Sequence, residues 1–250
     1  MKQKMKHLQT LVAVAMCVIF AMSFTSCSKD DDEPEKPKVE KRMMSIDDDS
    51  FVYSNGKITQ VLWRGDVDAN ITYSESSITI KGGVNYSGIY HLSNGLVTKY
   101  VESDGWYQEF TYEDGRLKNW KKYYNDGTLD EDITFEWKDG VITRQTDIEL
   151  MDNGNMELYC QYEYSYTTDP DYGGAIAIFQ SDSMFYDDLP EALIVQGYFG
   201  KWPKYLVSGA IDVSGYFSRK NSYTYALDSD GYPLKISGSE SAKFTWGNVK

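Results

Sequence analysis

FTYEDGRL, residues 110–117, decides the fold, because near copies of it recur along the chain. FVYSNGKI stands at 51–58, FEWKDGVI at 135–142 and FTWGN at 244–248. The shared pattern is F-x-[YW]-x-[ND]-G-x-[IL], and side chains two positions apart share one face of a β-strand. Asn-Gly and Asp-Gly then supply the positive φ angles of a type I′ hairpin turn. Each copy therefore predicts the end of one strand, a turn and the start of the returning strand.

The Asn/Asp-Gly pair also recurs outside these copies, at intervals that suit strands of about eight to twelve residues. It occupies residues 94–95, 104–105, 126–127, 153–154 and 230–231. The sequence thus predicts an all-β fold, a long antiparallel meander of about 12–15 strands, strongly curved into a closed or partly closed barrel. Where the rhythm of turns stops, near 174–200, we expect a short helical or loop insertion, with the helix over 175–185.

Alternation within the strands predicts which side chains are covered. In LYCQYEYSY, Leu158 and Cys160 share a face with the tyrosines that follow, so Cys160 is predicted to be a buried, unreactive thiol. The opposite face is polar, as expected of an antiparallel sheet with one wet face. Charged residues predicted to pair across strands on that polar face are Glu109, Lys118, Lys122, Glu136, Arg144 and Asp147.

Residues 1–26 are typical of a secretory signal peptide, with lysines followed by an apolar run too short for a permanent membrane helix. Phe24-Thr25-Ser26-Cys27 resembles the lipobox of bacterial lipoproteins, although Phe24 replaces the usual leucine. The resemblance implies that Cys27 becomes the lipidated first residue and contacts the membrane through its lipid. The alternative is an ordinary secretory peptide with an incidental cysteine.

The segment directly after Cys27 resembles a second targeting signal. Ser28, Lys29, Asp30, Asp31 and Asp32 resemble the surface-export signal of Bacteroidetes-type lipoproteins. That resemblance implies a lipid-anchored protein of the outer membrane, exposed at the cell surface. Because charged, proline-containing segments cannot bury a core, residues 27–49 are predicted to be a flexible acidic tether, and residues 50–250 a single β domain.

Composition excludes several classes of function. The formal net charge of −13 repels nucleic acid. Beyond the predicted signal peptide and Cys27, His91 is the one histidine and Cys160 the one cysteine, so we expect no disulfide, no metal site, no catalytic triad and no cofactor. A monomer without catalytic activity is the favoured prediction. Glycoside hydrolysis stays open as the alternative, because it needs only two carboxylates.

Two longer stretches carry a family resemblance. GYFGKWPKYLVS and LDSDGYPLKI, after YEYSYT and an Asp-Pro turn, are similar to Bacteroidetes lipoprotein domains of unknown function described as having a porin-like fold. The likeness covers residues 50–250 and implies no reaction, cofactor or catalytic residue.

Tryptophans are the candidate ligand-binding residues, since their faces stack on sugar rings. The candidates are Trp63, Trp106, Trp120 and Trp202. The alternative is that each packs in the core or caps a hairpin. The sequence therefore favours a surface-anchored module, accessory to nutrient uptake, that binds a glycan, a peptide or a partner protein.

Overall fold

Sixteen antiparallel strands form a closed barrel within residues 39–83, 87–172, 189–215, 219–239 and 241–249, which the computed structural model describes. Each strand pairs with its neighbours along the chain, and the first strand pairs with the last. The strands are β1 Lys41–Ile46, β2 Asp49–Ser54, β3 Lys57–Trp63, β4 Asp66–Tyr73, β5 Ser77–Gly82, β6 Gly88–Ser93, β7 Leu96–Glu102, β8 Tyr107–Glu113, β9 Arg116–Tyr123, β10 Leu129–Lys138, β11 Val141–Leu150, β12 Met156–Pro170, β13 Tyr205–Asp212, β14 Lys220–Leu227, β15 Pro233–Gly238 and β16 Ala242–Asn248. The predicted all-β meander is confirmed, and the barrel is closed with more strands than the 12–15 expected.

β1 corrects the predicted boundary between tether and domain. Residues 41–49 were assigned to the flexible tether, yet Lys41–Ile46 pairs with β16 on one side and with β2 on the other. Met43 and Ile46 are buried, which supplies the apolar contact that a tether lacks. The charges flanking these two residues conceal a short strand that closes the barrel.

The described residues contain one helix, α1, Glu191–Ile194, within the predicted 174–200 insertion. The helix predicted over 175–185 lies outside the described residues. No helix in the described part of the chain has the length and apolar character needed to cross a bilayer.

The turns fall into two chemical classes. In the four pairs that end strands β2, β6, β8 and β10, both residues have positive φ, as predicted for type I′ turns. At Gly105, Gly127 and Gly154 only the glycine has positive φ, and its amide donates to the carbonyl three residues before it. These loops are therefore longer than the two-residue turns expected there.

A β-bulge follows each type I′ turn and reverses the alternation of the returning strand. In β3, for example, Tyr53 pairs with Ile58 but Val52 pairs with Gln60, so Thr59 is the extra residue. The same shift occurs in β7, β9 and β11. Beyond each bulge, the residues that face inward are therefore those that simple alternation along the strand from the turn would place outward, and the reverse.

We call the end of the barrel where even-numbered strands finish the capped end, because α1 and the residues after it, 190–204, lie against its turns. The Lys201 amide donates to the Gly115 carbonyl over 2.8 Å, and the Lys204 amide donates to the Gly140 carbonyl over 2.9 Å. The Val97 amide donates to the Tyr198 carbonyl over 2.9 Å. The recurring turns thus serve as the docking rim for the insertion.

Seven aromatic side chains, which we call the rim aromatics, join adjacent strands at the capped end. Each lies on an even-numbered strand and donates a hydrogen bond of 2.6–2.8 Å to a backbone carbonyl of the strand before it. They are Tyr53, Tyr73, Tyr112, Trp137, Tyr166, Tyr225 and Trp246. Turns connect most of the remaining strand pairs at this end, so turns and aromatic bonds alternate along much of the rim.

The inward faces form one large apolar core. The phenylalanines of the recurring phrase, Phe51, Phe110, Phe135 and Phe244, are all buried in it, as predicted. α1 contributes Leu193 and Ile194 to the same core from the capped end. The outward faces carry ion pairs such as Lys99–Glu109 and Lys121–Asp132. The sheet is therefore mainly apolar inside, with a few buried polar side chains, and polar outside.

Candidate functional site

A groove at the capped end, which we call the rim groove, lies between the start of β1, the β2–β3 turn, the end of β16 and the 195–202 segment. Its cavity volume is about 530 Å³. The lining residues used below are Arg42, Lys57, Gln196, Tyr198, Trp202 and Trp246. Because the groove lies between the barrel and its cap, its shape depends on how the insertion docks.

Gln196 fastens the cap segment beside the groove. Its side-chain oxygen accepts from the Ile58 amide over 3.1 Å, and its side-chain nitrogen donates to the Tyr73 hydroxyl over 2.9 Å. The same nitrogen donates to the Ala192 carbonyl over 2.7 Å. One amide side chain thus connects α1 with β3 and β4.

Two cations on the groove wall lack carboxylate partners among the described residues. The Arg42 guanidinium lies 4.3 Å from the centroid of the Tyr53 ring, and the Lys57 ammonium lies 4.5 Å from that of Tyr73. The Nε atom of Arg42 is buried and has no hydrogen-bond partner in the described part of the chain. Lys41, by contrast, forms an ion pair of 2.6 Å with each of two carboxylates. Arg42 and Lys57 are therefore the lining cations available to an anionic or hydroxyl-rich ligand.

The two tyrosines beneath these cations are neutral. Burial raises the pKa of Tyr53 to about 12, against a smaller opposing effect of Arg42. Burial likewise raises the pKa of Tyr73 to about 12, against the hydrogen bond from Gln196. Their rings therefore serve as neutral platforms for the cations, and their hydroxyls donate to the barrel backbone.

The four predicted tryptophans do not come together. Trp202 lines the rim groove. Trp63 and Trp106 lie at the opposite end of the barrel, 50% and 37% exposed. Trp120 is fully buried and donates to the Gln108 side chain, so its predicted role in contacting a ligand is wrong. The predicted lipidation and export residues, 27–32, lie outside the described residues.

A second group, the carboxylate cluster, lies inside the barrel toward the opposite end. Oxygen atoms of Glu131, Asp147 and Glu149 all lie within 4.8 Å of one another. Asp147 is fully buried, and Glu131 forms an ion pair with Lys122. Glu131 pairs in register with Glu149, and Ile133 with Asp147, so β10 and β11 bring the three acids together.

Burial changes the acidity of this cluster. Burial first, and the charge of Glu131 second, raise the pKa of Asp147 well above its usual range. The same two causes raise the pKa of Glu149 to about 7. Protons therefore compete with any cation for these oxygen atoms at neutral pH.

The sequence prediction had placed Lys122 and Asp147 on the outer polar face, and this was wrong. The bulge after each type I′ turn reverses the alternation, so Trp120 and Lys122 face inward on β9, as Gln145 and Asp147 do on β11. Arg144 does lie on the outer face, where it forms ion pairs with a glutamate on each of the two neighbouring strands. A recurring one-residue offset after each type I′ Asn/Asp-Gly turn is the signal that would have revealed the cluster.

Cys160 is a buried, protonated thiol. Cys160 is fully buried, as predicted, and its thiol donates weakly to Asp147 Oδ2 over 3.8 Å. Burial, with the nearby charge of Asp147, raises the pKa of the thiol far above its usual range, so it stays protonated. His91 is exposed on β6.

The fold is shared with two proteins of known structure. A porin-like protein from Bacteroides uniformis ATCC 8492 superposes with a TM-score of 0.57 at 15% identity, covering 80% of this chain and 90% of that chain. A porin-like protein from Bacteroides vulgatus ATCC 8482 gives a TM-score of 0.58 at 13% identity, covering 83% and 100%. No protein-family model and no curated protein matches the chain. At these identities the likeness establishes the fold alone.

Proposed function

We propose that this protein is a lipid-anchored, non-catalytic lipoprotein of the outer membrane that binds glycan at the cell surface through the rim groove. The observation that carries the proposal is the groove's lining, in which a half-buried tryptophan and two cations without carboxylate partners among the described residues line the same groove. Aromatic faces stack on sugar rings, and charged donors bind hydroxyl or acidic groups. An accessory role in nutrient uptake fits this chemistry.

The distribution of polarity favours a binding module over a membrane pore. A water-filled membrane barrel has a polar lumen and an outward apolar band facing lipid. Here a large apolar core fills the interior, apart from the carboxylate cluster and Lys122, and outward side chains such as Lys121 and Arg144 form ion pairs. Membrane attachment in our proposal therefore comes from lipid on Cys27 rather than from the strands.

The alternative, carboxylate-dependent glycoside hydrolysis, is less compatible with the carboxylate cluster. Catalytic carboxyl groups must reach the glycosidic bond from solvent. Asp147 has no exposed surface, and Glu131 is buried beside Lys122. The open rim groove is the better place for a sugar chain.

Binding to neutral and acidic polysaccharides tests the groove, first on a glycan array and then by titration calorimetry with the polysaccharides that are retained. We expect Trp202→Ala to weaken binding at least about tenfold, which corresponds to about 1.4 kcal/mol. Trp63→Ala is the matched control, because Trp63 is exposed at the opposite end of the barrel, and it should change affinity less than about twofold.

Three outcomes would contradict the proposal. One is the absence of any retained glycan, with a peptide or partner protein captured from intact cells instead. Another is an effect of Trp63→Ala as large as that of Trp202→Ala. The third is release of reducing ends from a bound polysaccharide, which would support the hydrolase.

A separate experiment tests lipid anchoring through Cys27 and export to the cell surface. Cys27→Ser should move the protein out of the membrane fraction and abolish metabolic labelling with a fatty acid. Replacement of Asp30, Asp31 and Asp32 by alanine should leave the lipid in place but protect the protein from protease added to intact cells. Unchanged labelling of the Cys27 variant would contradict lipidation at that residue.

A further inference from the structure

The carboxylate cluster has a geometry that a structural ion pair does not need. Glu131, Asp147 and Glu149 converge from two adjacent strands, with one oxygen atom of each within 4.8 Å of the others. Like charges at this distance repel strongly in a buried setting, so three converging carboxylates are costly without a counter-charge. Such oxygen-only donor sets suit hard divalent cations.

An unsatisfied atom supplies a second, independent sign of a ligand. Asp147 is fully buried, and its Oδ1 atom has no hydrogen-bond partner among the residues that the structure describes. Its other oxygen accepts a weak hydrogen bond from the thiol of Cys160 over 3.8 Å. A buried carboxylate oxygen without a partner destabilises the fold by about 1–3 kcal/mol or more unless a ligand or a proton satisfies it.

The local charge balance fits a divalent ion. Lys122 forms an ion pair with Glu131 Oε2, so this ammonium neutralises one of the three carboxylates. Two negative charges are left when the cluster is fully ionised, which one divalent cation would neutralise. Glu131 has a second oxygen with which to bind it.

We propose that Glu131, Asp147 and Glu149 bind one hard divalent cation of the calcium, magnesium or manganese class inside the barrel. The cation joins β10 to β11 at the end opposite the cap, with water completing its coordination shell. The site is independent of glycan binding at the rim groove, and its function is structural.

The test is a calorimetric titration of the full chain, freed of metal with EDTA, against calcium, magnesium and manganese chlorides. We expect one ion per chain for at least one of the three. Asp147→Asn should lower that affinity at least tenfold, and Glu149→Gln should lower it as well. Glu136→Gln is the matched control, because Glu136 lies on the same strand β10 but faces outward, and it should bind as the original protein does.

Thermal unfolding gives a second readout that does not depend on the heat of binding. The cation should raise the melting temperature of the original protein and of Glu136→Gln, but not that of Asp147→Asn. In EDTA the asparagine variant should be at least as stable as the original, because it removes a repelling charge, and this verifies that it folds. If it does not fold, Glu149→Gln replaces it as the decisive variant. Failure of all three cations to bind at millimolar concentration, or equal binding by the folded cluster variants, overturns the proposal.

Discussion

Tyr112 illustrates how a single side chain of the recurring phrase stabilises the barrel. Its hydroxyl donates to the Val97 carbonyl over 2.6 Å, and burial raises the pKa of that hydroxyl far above its usual range. The ladder between β7 and β8 stops at Lys99–Glu109, so this bond joins the two strands where the backbone no longer does. The aromatic position of the phrase is thus a hydrogen-bond donor as well as a core residue.

We therefore expect Tyr112→Phe to lower the free energy of unfolding by about 1 kcal/mol, because it leaves the carbonyl of the buried Val97 without this donor. In a chain of this size that corresponds to a melting temperature about 2–4 °C lower. Urea unfolding measures the effect. Tyr107→Phe is the control, because Tyr107 stacks on Tyr123 and its hydroxyl has no hydrogen-bond partner within the described ranges. Equal losses in the two variants would contradict a specific role for the Tyr112 hydroxyl.

The carboxylate cluster predicts an unusual dependence of stability on pH. An unfolded carboxyl titrates near about 4, whereas the folded pKa of Glu149 is raised to about 7 and that of Asp147 is also raised. The folded protein thus retains protons that the unfolded chain has released, so in EDTA its stability should fall as pH rises from about 4 to 7. Urea midpoints across this range measure the slope. Combining Asp147→Asn with Glu149→Gln should flatten it, whereas Glu136→Gln should leave it unchanged.

Among the elements, the 190–204 segment depends on close backbone contact with the turns it covers. Gly200 has a φ of +94°, and a Cβ atom there would lie 2.6 Å from the Gly115 carbonyl oxygen. Gly197 also has a positive φ, +78°, but a Cβ atom there would meet no described residue within 4 Å. Substitution of Gly197 therefore introduces conformational strain alone, whereas substitution of Gly200 also disrupts contact with the barrel.

Gly200→Ala should therefore destabilise the protein more than Gly197→Ala, which suffers only the cost of about 1–2 kcal/mol for a left-handed alanine. Hydrogen exchange should accelerate across 190–204 in the Gly200 variant, because the segment must move off the Gly115 turn. Urea unfolding and peptide-level exchange measure the two effects. Equal stability and equal exchange in the two variants would contradict docking through this contact.

For the molecule as a whole, closure depends on the short strand that the sequence concealed. Removal of β1 would expose the edges of β2 and β16 and would discard two buried side chains, Met43 and Ile46, each contributing about 1.5–3 kcal/mol. Unpaired edges also invite association between molecules.

A chain that begins at residue 39 should accordingly unfold at the same temperature as the full chain and stay monomeric. A chain that begins at residue 50, the boundary expected from composition, should melt lower and self-associate. Thermal unfolding and sedimentation velocity distinguish the two. A stable monomer from the shorter chain would contradict closure through β1.

Local sequence determined the strands and most of the turns of this protein. Asn-Gly and Asp-Gly adopt positive φ through their own chemistry, and residues at a spacing of two share a face, so FTYEDGRL specifies a hairpin by itself. Phe110 is buried and Asp114-Gly115 turns the chain, as those local rules require. Trp202 was identified from its position in an irregular stretch, although the groove beside it was not.

Tertiary structure completed the two candidate sites. The bulge that follows each type I′ turn lies within its own hairpin and reverses which side chains face inward, so Asp147 lies in the interior rather than on the outer surface, and the pairing of β10 with β11 sets it beside Glu131 and Glu149. Barrel closure brings β1 beside β16, and docking of 190–204 completes the rim groove. These contacts join residues far apart along the chain, and a periodicity of neighbouring residues carries no information about such pairings.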